Sequence, residues 1–276
     1  MEKKWIVEQV MNVYTACAGN VIDEADKKFT MFDEPLVGIG SAEDALFDKY
    51  KEPGVIGPWF LKPTEWLEGA KTVVSIFFPF TQEVKESNRK CSELPSTEWL
   101  YGRIEGQAFI TSFITTLSKR FTEAGIRNVV PLVDERFAQV NAGNHFQEYT
   151  CVTEKTYGSN WSERHAAFVC GLGTFGLSKG IITEKGMAGR FASIIIEENV
   201  PADERPYTEI YEYCTMCGAC VRRCPVKAIS IEEGKNHNIC HGWVMKTKQL
   251  YAPRYGCGLC QTKVPCESRI PKKIQK

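Results

Sequence analysis

A chain of 276 residues has room for one large domain or two smaller ones, and with 43% hydrophobic and 25% charged residues it has the make-up of an ordinary globular protein. Lys+Arg and Asp+Glu both total 34, so a formal net charge of zero excludes any global electrostatic pull toward nucleic acid or anionic membrane. A local basic patch from Arg222, Arg223, Lys272, Lys273 and Lys276 remains compatible with that balance.

In chain order, residues 5–18 predict an amphipathic helix with Ile6, Val10, Val13 and Cys17 on one face and Gly19 at the C-cap. The opening Met1-Glu-Lys-Lys, with Glu8 and Gln9 soon after, interrupts any signal-peptide core. No apolar stretch reaches the ~18 residues of a membrane span, so a cytoplasmic location is expected. Residues 72–80 form a continuous apolar run, which predicts a strand buried on both faces. Residues 103–124 follow helical spacing through Ile104, Ala108, Phe113, Leu117, Phe121 and Ala124, and end at Gly125. Strands are expected at 127–133 and 191–196, and a helix after Ser162, with Glu163 in its first turn. Alternating helices and strands predict a layered α/β (α+β) domain over 1–200. A charged, Pro-containing stretch, Glu197–Pro206, marks the boundary to a cysteine-rich region, 201–276, with little core of its own.

Twelve cysteines in such a chain point to metal. Cys17, Cys91, Cys151 and Cys170 are scattered and read as small buried hydrophobes, while the other eight lie between 214 and 266. Cys214-x2-Cys217-x2-Cys220-x3-Cys224-Pro225 has the spacing of a bacterial [4Fe–4S] ferredoxin. Three thiolates two residues apart wrap a loop around one cube, and Gly218 and Ala219 let the backbone approach it. Cys224 then serves a second cluster, as in two-cluster ferredoxins. Crosswise pairing assigns Cys214, Cys217, Cys220 and Cys266 to one cluster. It assigns Cys224, Cys240, Cys257 and Cys260 to the other. Cys240 and Cys266 are the irregular members, because sixteen residues separate Cys240 from Cys257 and Pro265 precedes Cys266. Structural zinc is the alternative, since C-x2-C pairs also serve zinc.

Gly171-Leu172-Gly173-Thr-Phe-Gly176 matches G-x-G-x-x-G literally, but a helix precedes it and a strand follows, the reverse of a dinucleotide site. By itself it is a helix C-cap and tight turn.

Its context carries a resemblance. Ala166–Thr183 with Gly186 and Arg190 is similar to the signature of epoxyqueuosine reductases and reductive dehalogenases, which also place a two-cluster ferredoxin module after it. Tyr255-Gly256-Cys257-x2-Cys260, with an isolated Cys240 upstream, resembles the second-cluster segment of the epoxyqueuosine reductases, and Lys71–Phe80 resembles their early core strand. The resemblance implies a nitroreductase-like corrinoid-binding domain, two [4Fe–4S] clusters, and cobalamin held base-off and reduced to Co(I). It implies cofactor contacts from Gly171, Leu172, Gly173, Gly176 and Arg190, and reduced ferredoxin or flavodoxin as electron donor. It leaves a small molecule or a modified nucleoside as substrate, with tRNA as a partner that net charge does not favour.

Epoxyqueuosine reductases use an Asp as proton donor and reductive dehalogenases a Tyr. Spacing from the glycine turn lands near Tyr157, with Asp134 as the alternative, and Arg164 and His165 lie nearby in sequence. His165 itself reads as a satisfied helical histidine. The chain ends ten residues after Cys266, without the helical-repeat tail of epoxyqueuosine reductases, and lacks the twin-arginine leader of respiratory dehalogenases. Three readings are open: a corrinoid-dependent reductase of unidentified substrate, a non-catalytic electron carrier or corrinoid-reducing partner, and an epoxyqueuosine reductase proper.

Overall fold

The computed structural model describes residues 1–24, 26–141, 149, 151–152 and 156–272. Lys273 and Lys276 of the expected basic patch lie outside the described residues.

The fold is mixed α/β and is centred on a four-stranded antiparallel sheet. Its strands run in the order Leu36–Ser41, Thr72–Pro79, Gly189–Ile196 and Asn128–Val129. Every residue of Thr72–Pro79 is buried, because this strand has a neighbour on each edge and helices on each face. Val74, Ile76 and Phe78 point into one core with Phe109, Ile110, Phe113 and Leu117 of the long helix Thr97–Glu123 and with Ile6, Val10 and Val13 of the helix Lys3–Ala16. Val73 and Ile195 point into a second core with Trp161 and with Ala166 and Val169 of the helix Glu163–Val169. The unbroken apolar run is therefore a period-2 strand with both faces covered.

The long helix starts six residues before the expected one. Ser96 caps it, its hydroxyl accepting from the Trp99 amide at 3.2 Å, and the chain leaves it at Gly125 with φ +81°. The first helix ends at Ala16, earlier than expected, with Cys17 at its C-cap. The strand expected over 127–133 shortens to Asn128–Val129, because Pro131 starts a 3-10 turn, Pro131–Val133. Ser162 is the N-cap residue of Glu163–Val169, but its hydroxyl pairs with the His165 ring nitrogen at 2.8 Å instead of capping an amide. Of the four scattered cysteines only Cys170 is buried.

The cysteine-rich region wraps back onto this body through short elements: the helix Ala219–Arg223, a two-stranded ribbon Ile229–Ser230 with Gly234–Lys235, the helix His237–Tyr251 and the 3-10 turn Leu259–Gln261. Arg223 holds it in place. Its guanidinium donates to the carbonyls of Leu259, Thr262, Cys91 and Asn88, the shortest at 2.7 Å. Arg222 donates to the Cys217 carbonyl. Both arginines thus bond backbone acceptors, and Arg222 stays exposed. No helix among the described residues is long and apolar enough to cross a membrane.

Candidate functional site

The eight late cysteines fall into two cavities. Cys214, Cys217, Cys220 and Cys266 line one, together with Gly176, Leu177 and Met187. Cys224, Cys240, Cys257 and Cys260 line the other, of about 180 Å³, together with Trp99, Arg103, Arg190 and Lys235. The loops reach this arrangement through left-handed backbone at Met216, Gly218 and Gly258. No three His, Cys, Asp or Glu side chains among the described residues converge closely enough to hold a single metal ion. Four thiols ringed around a void suit a cube better than tetrahedral zinc, whose Zn–S bonds are only ~2.3 Å.

Burial pushes the Cys220 thiol up to about 11 and those of Cys257 and Cys266 up to about 12. For Cys220 the next contribution comes from Cys260, so the two sets lie side by side. Thiols this reluctant to ionise need a strongly positive centre among them to become ligands. One acceptor contact is already in place, because the Ala228 amide donates to Cys224 Sγ at 3.2 Å. Lys235 sits beside the second set. Burial alone would depress its pKa, but Cys260 and Cys240 outweigh that and raise it. It keeps a cation next to thiolates.

Arg103 and Arg190 line the second cysteine cavity and also an open cleft of about 1000 Å³. The cleft runs along the long helix, past Gln107, Thr111 and Thr115, and is bounded by Val133, Phe137 and Tyr255. Arg190 comes from the central strand Gly189–Ile196. One of its amino groups donates to the Gln107 amide oxygen, and its Nε is buried without a partner. Burial, and Arg103 after it, lowers its pKa to about 10, so it remains charged at neutral pH. Arg103 donates to the Tyr255 carbonyl at 3.1 Å and lies over the Tyr255 ring.

Residues 207–230 match the family described as a 4Fe-4S binding domain. No curated protein is detectably similar in sequence. Among solved structures, an epoxyqueuosine reductase with an epoxyqueuosine-modified tRNA-Tyr stem loop is 17% identical over 96% of this chain, with a TM-score of 0.53. This chain spans 65% of that relative's length. The epoxyqueuosine reductase of Bacillus subtilis, with its catalytic loop swung out of the active site, is 17% identical over 98% of this chain and 69% of that one, with a TM-score of 0.51. A catabolic reductive dehalogenase in complex with 3-bromo-4-hydroxybenzoic acid is 14% identical over 86% of this chain and 30% of that one, with a TM-score of 0.50.

The chain has the fold of the epoxyqueuosine reductases. Within that fold the glycine turn packs against neighbouring backbone and side chains. Gly171 packs against the Glu204 carbonyl, and Leu172 fills the space beside Gly38. Gly173, with φ +157°, packs against the Ile182 backbone in the hairpin of Gly173–Phe175 with Ile181–Thr183. Gly176 closes the turn by donating to the Gly180 carbonyl at 2.8 Å, next to the first cysteine set. None of the four lines the open cleft. What the turn delivers is Phe175 and Lys179, which face a further cavity of about 450 Å³ shared with Tyr157.

Tyr157 is 42% exposed at that cavity, stacked on His237, with its hydroxyl 3.5 Å from His241 Nδ1. Asp134 is placed differently. Arg136 grips its carboxylate with Nε and Nη2, both at 2.8 Å, and holds its pKa below the usual range. The ion pair ties Asp134 to the loop that carries Arg136. His165 is partly buried, its pKa pushed down to about 3 by desolvation and by Arg164, and its ring bonded to Ser162 makes it the satisfied neutral histidine expected. Arg103, Lys235 and His237 carried no sequence motif, and Lys179 lay within the Ala166–Thr183 stretch without being singled out. The single available hint was His237 and His241 flanking Cys240 on one helix.

Proposed function

We propose that this chain is a corrinoid-dependent iron–sulfur oxidoreductase, with a corrinoid and substrate domain over residues 1–200 and a two-cluster module over 201–276. Cys214, Cys217, Cys220 and Cys266 would hold one [4Fe–4S] cluster, and Cys224, Cys240, Cys257 and Cys260 the other. The observation that carries this reading is the shared wall: Arg103 and Arg190 border both the second cysteine set and the open cleft. A cluster in that set is therefore proximal to whatever occupies the cleft. The first set has its edge at the surface, where Cys217 is exposed, and is the side at which reduced ferredoxin or flavodoxin would deliver electrons.

The cleft residues fit cobalamin. Gln107, Thr111 and Thr115 offer polar groups to an amide-rimmed macrocycle, and the unpartnered Nε of Arg190 offers a charged donor. When bound there, cobalamin supplies a strongly reducing, nucleophilic cobalt centre. The chain supplies the rest: Arg190 orients, Phe137 and Val133 exclude water, and Tyr157 holds a proton on its hydroxyl at the adjoining cavity, within reach of His241.

Anaerobic reconstitution tests the reading. About eight irons per chain are expected, the content of two [4Fe–4S] clusters. Cobalamin should bind stoichiometrically and give a base-off Co(II) EPR signal. Clusters without cobalamin binding would sink the proposal and leave an electron carrier or corrinoid-reducing partner. Turnover of epoxyqueuosine-containing tRNA by the loaded protein would make that nucleoside the substrate. Its failure would leave a small molecule.

A further inference from the structure

The cavity of about 450 Å³ shares Phe137 and Gln139 with the cleft. Four separate segments build it: the strand Tyr157–Ser159, the helix Glu163–Val169 through Arg164, the hairpin turn through Lys179, and the helix His237–Tyr251 through His237. Arg164 is fixed by donating Nη1 to the Lys179 carbonyl at 2.6 Å, and Lys179 itself takes a left-handed backbone, φ +58°. That geometry joins two cations at one wall.

Neither cation is compensated by a carboxylate among the described residues. Burial lowers the pKa of both, and the charged or polar groups acting on them are Tyr157 and Cys240 for Arg164, and Arg164 and Lys235 for Lys179. His237 Nε2 is buried and has no partner. Placing unpaired cations in a low-dielectric cavity is costly, and an anion accepting hydrogen bonds from them offsets that cost. Flat rings make up part of the remaining lining, beside polar groups from Gln139, Asn141, Ser159 and Ser162: the Tyr157 and His237 rings stack 5.3 Å apart, and Phe175 and Tyr211 face the same space.

We propose that this cavity is the substrate compartment and that it recognises a planar ring bearing an oxyanion, the oxyanion held by Arg164 and Lys179 and the ring lying against Tyr157, His237 and Phe175. The inference rests on the corrinoid reading only in taking the ligand as substrate. The binding itself needs no corrinoid.

Cluster-reconstituted, corrinoid-free protein is titrated with phenyl phosphate and, as the neutral control, phenol. Phenyl phosphate is expected to bind at least about tenfold more tightly than phenol, the size of one charge-assisted hydrogen bond. Lys179→Gln and Arg164→Gln should each lose at least about tenfold for phenyl phosphate and leave phenol unchanged. Arg164 holds the hairpin turn through the Lys179 carbonyl, so Lys179→Gln, which leaves that backbone bond in place, keeps the test readable should Arg164→Gln fail to fold. Equal binding of the two probes, or no effect of Lys179→Gln, would overturn the inference. A third arm compares cobalamin with cobinamide, which lacks the phosphodiester tail. If Lys179→Gln weakens cobalamin alone, the oxyanion belongs to the corrinoid and the substrate assignment is wrong. Cobalamin binding without phenyl phosphate binding sinks this inference and spares the corrinoid reading. The opposite result does the reverse.

Discussion

The Arg103 guanidinium lies 4.0 Å from the centre of the Tyr255 ring and donates to the Tyr255 carbonyl oxygen at 3.1 Å. One side chain of the long helix thereby grips the loop that presents Cys257 and Cys260, and does so at the wall of the open cleft. Arg103→Met keeps the aliphatic stem and removes both interactions. It is expected to cost about 1–3 kcal/mol and to speed loss of the second cluster in air, followed by visible absorbance against the parent protein.

Gly258 meets the long helix at another point. Its φ is +67°, and an added Cβ would overlap the Trp99 indole, which is itself buried. Gly258→Ala should therefore displace Cys257 and Cys260. Iron content is expected to fall from about eight to about four per chain, with the first cluster's EPR signal retained. An unchanged iron count would show that the loop can shift around Trp99.

Cys240 and Cys91 make a matched pair of thiols. Cys240 lines the second cysteine cavity, whereas Cys91 stands apart, its thiol near the Ser87 carbonyl. Cys240→Ser should halve the iron and abolish cobalt reduction. Cys91→Ser should do neither. Iron and sulfide assays with cobalamin EPR on both variants decide it.

Glu163 predicts a pH dependence of stability. Its carboxylate is buried behind the sheet, and burial raises its pKa to about 7, with Ser193 and Trp161 opposing in part. A folded pKa above the unfolded value means that the folded chain holds the proton more tightly. The contribution to stability is full below about pH 4.5 and is lost as pH rises through about 7. Glu163→Gln should be more stable than the parent at pH 8, by about 2–3 kcal/mol, and equal to it near pH 4. Thermal melts of both proteins across that range test the sign.

Much of the arrangement was legible in one dimension. The crosswise cysteine sets, the irregular Cys240 and Cys266 included, correspond to the two cavities, because a cube demands local loop spacing and a returning cysteine. The long helix announced itself through the spacing of Phe113, Leu117 and Phe121, and the central strand through its unbroken apolar run. The packing of the glycine turn was not legible: Gly171 and Gly173 meet backbone and Leu172 meets Gly38, all contacts from distant segments or across a hairpin. The ion pair of Asp134, the alternative proton donor, with Arg136 is likewise a contact that spacing from the glycine turn does not show.

The sequence by itself determined the cysteine pattern, the mixed α/β class and the order of the elements, because spacing and hydrophobic period are properties of neighbouring residues. Only the tertiary structure decided which cysteine set borders the cleft, that Arg223 anchors the cysteine-rich region to the body, and that Arg164, Lys179 and His237 face one cavity. Those residues lie on segments far apart in the chain, and packing against a common sheet is what brings their charges within reach of one another.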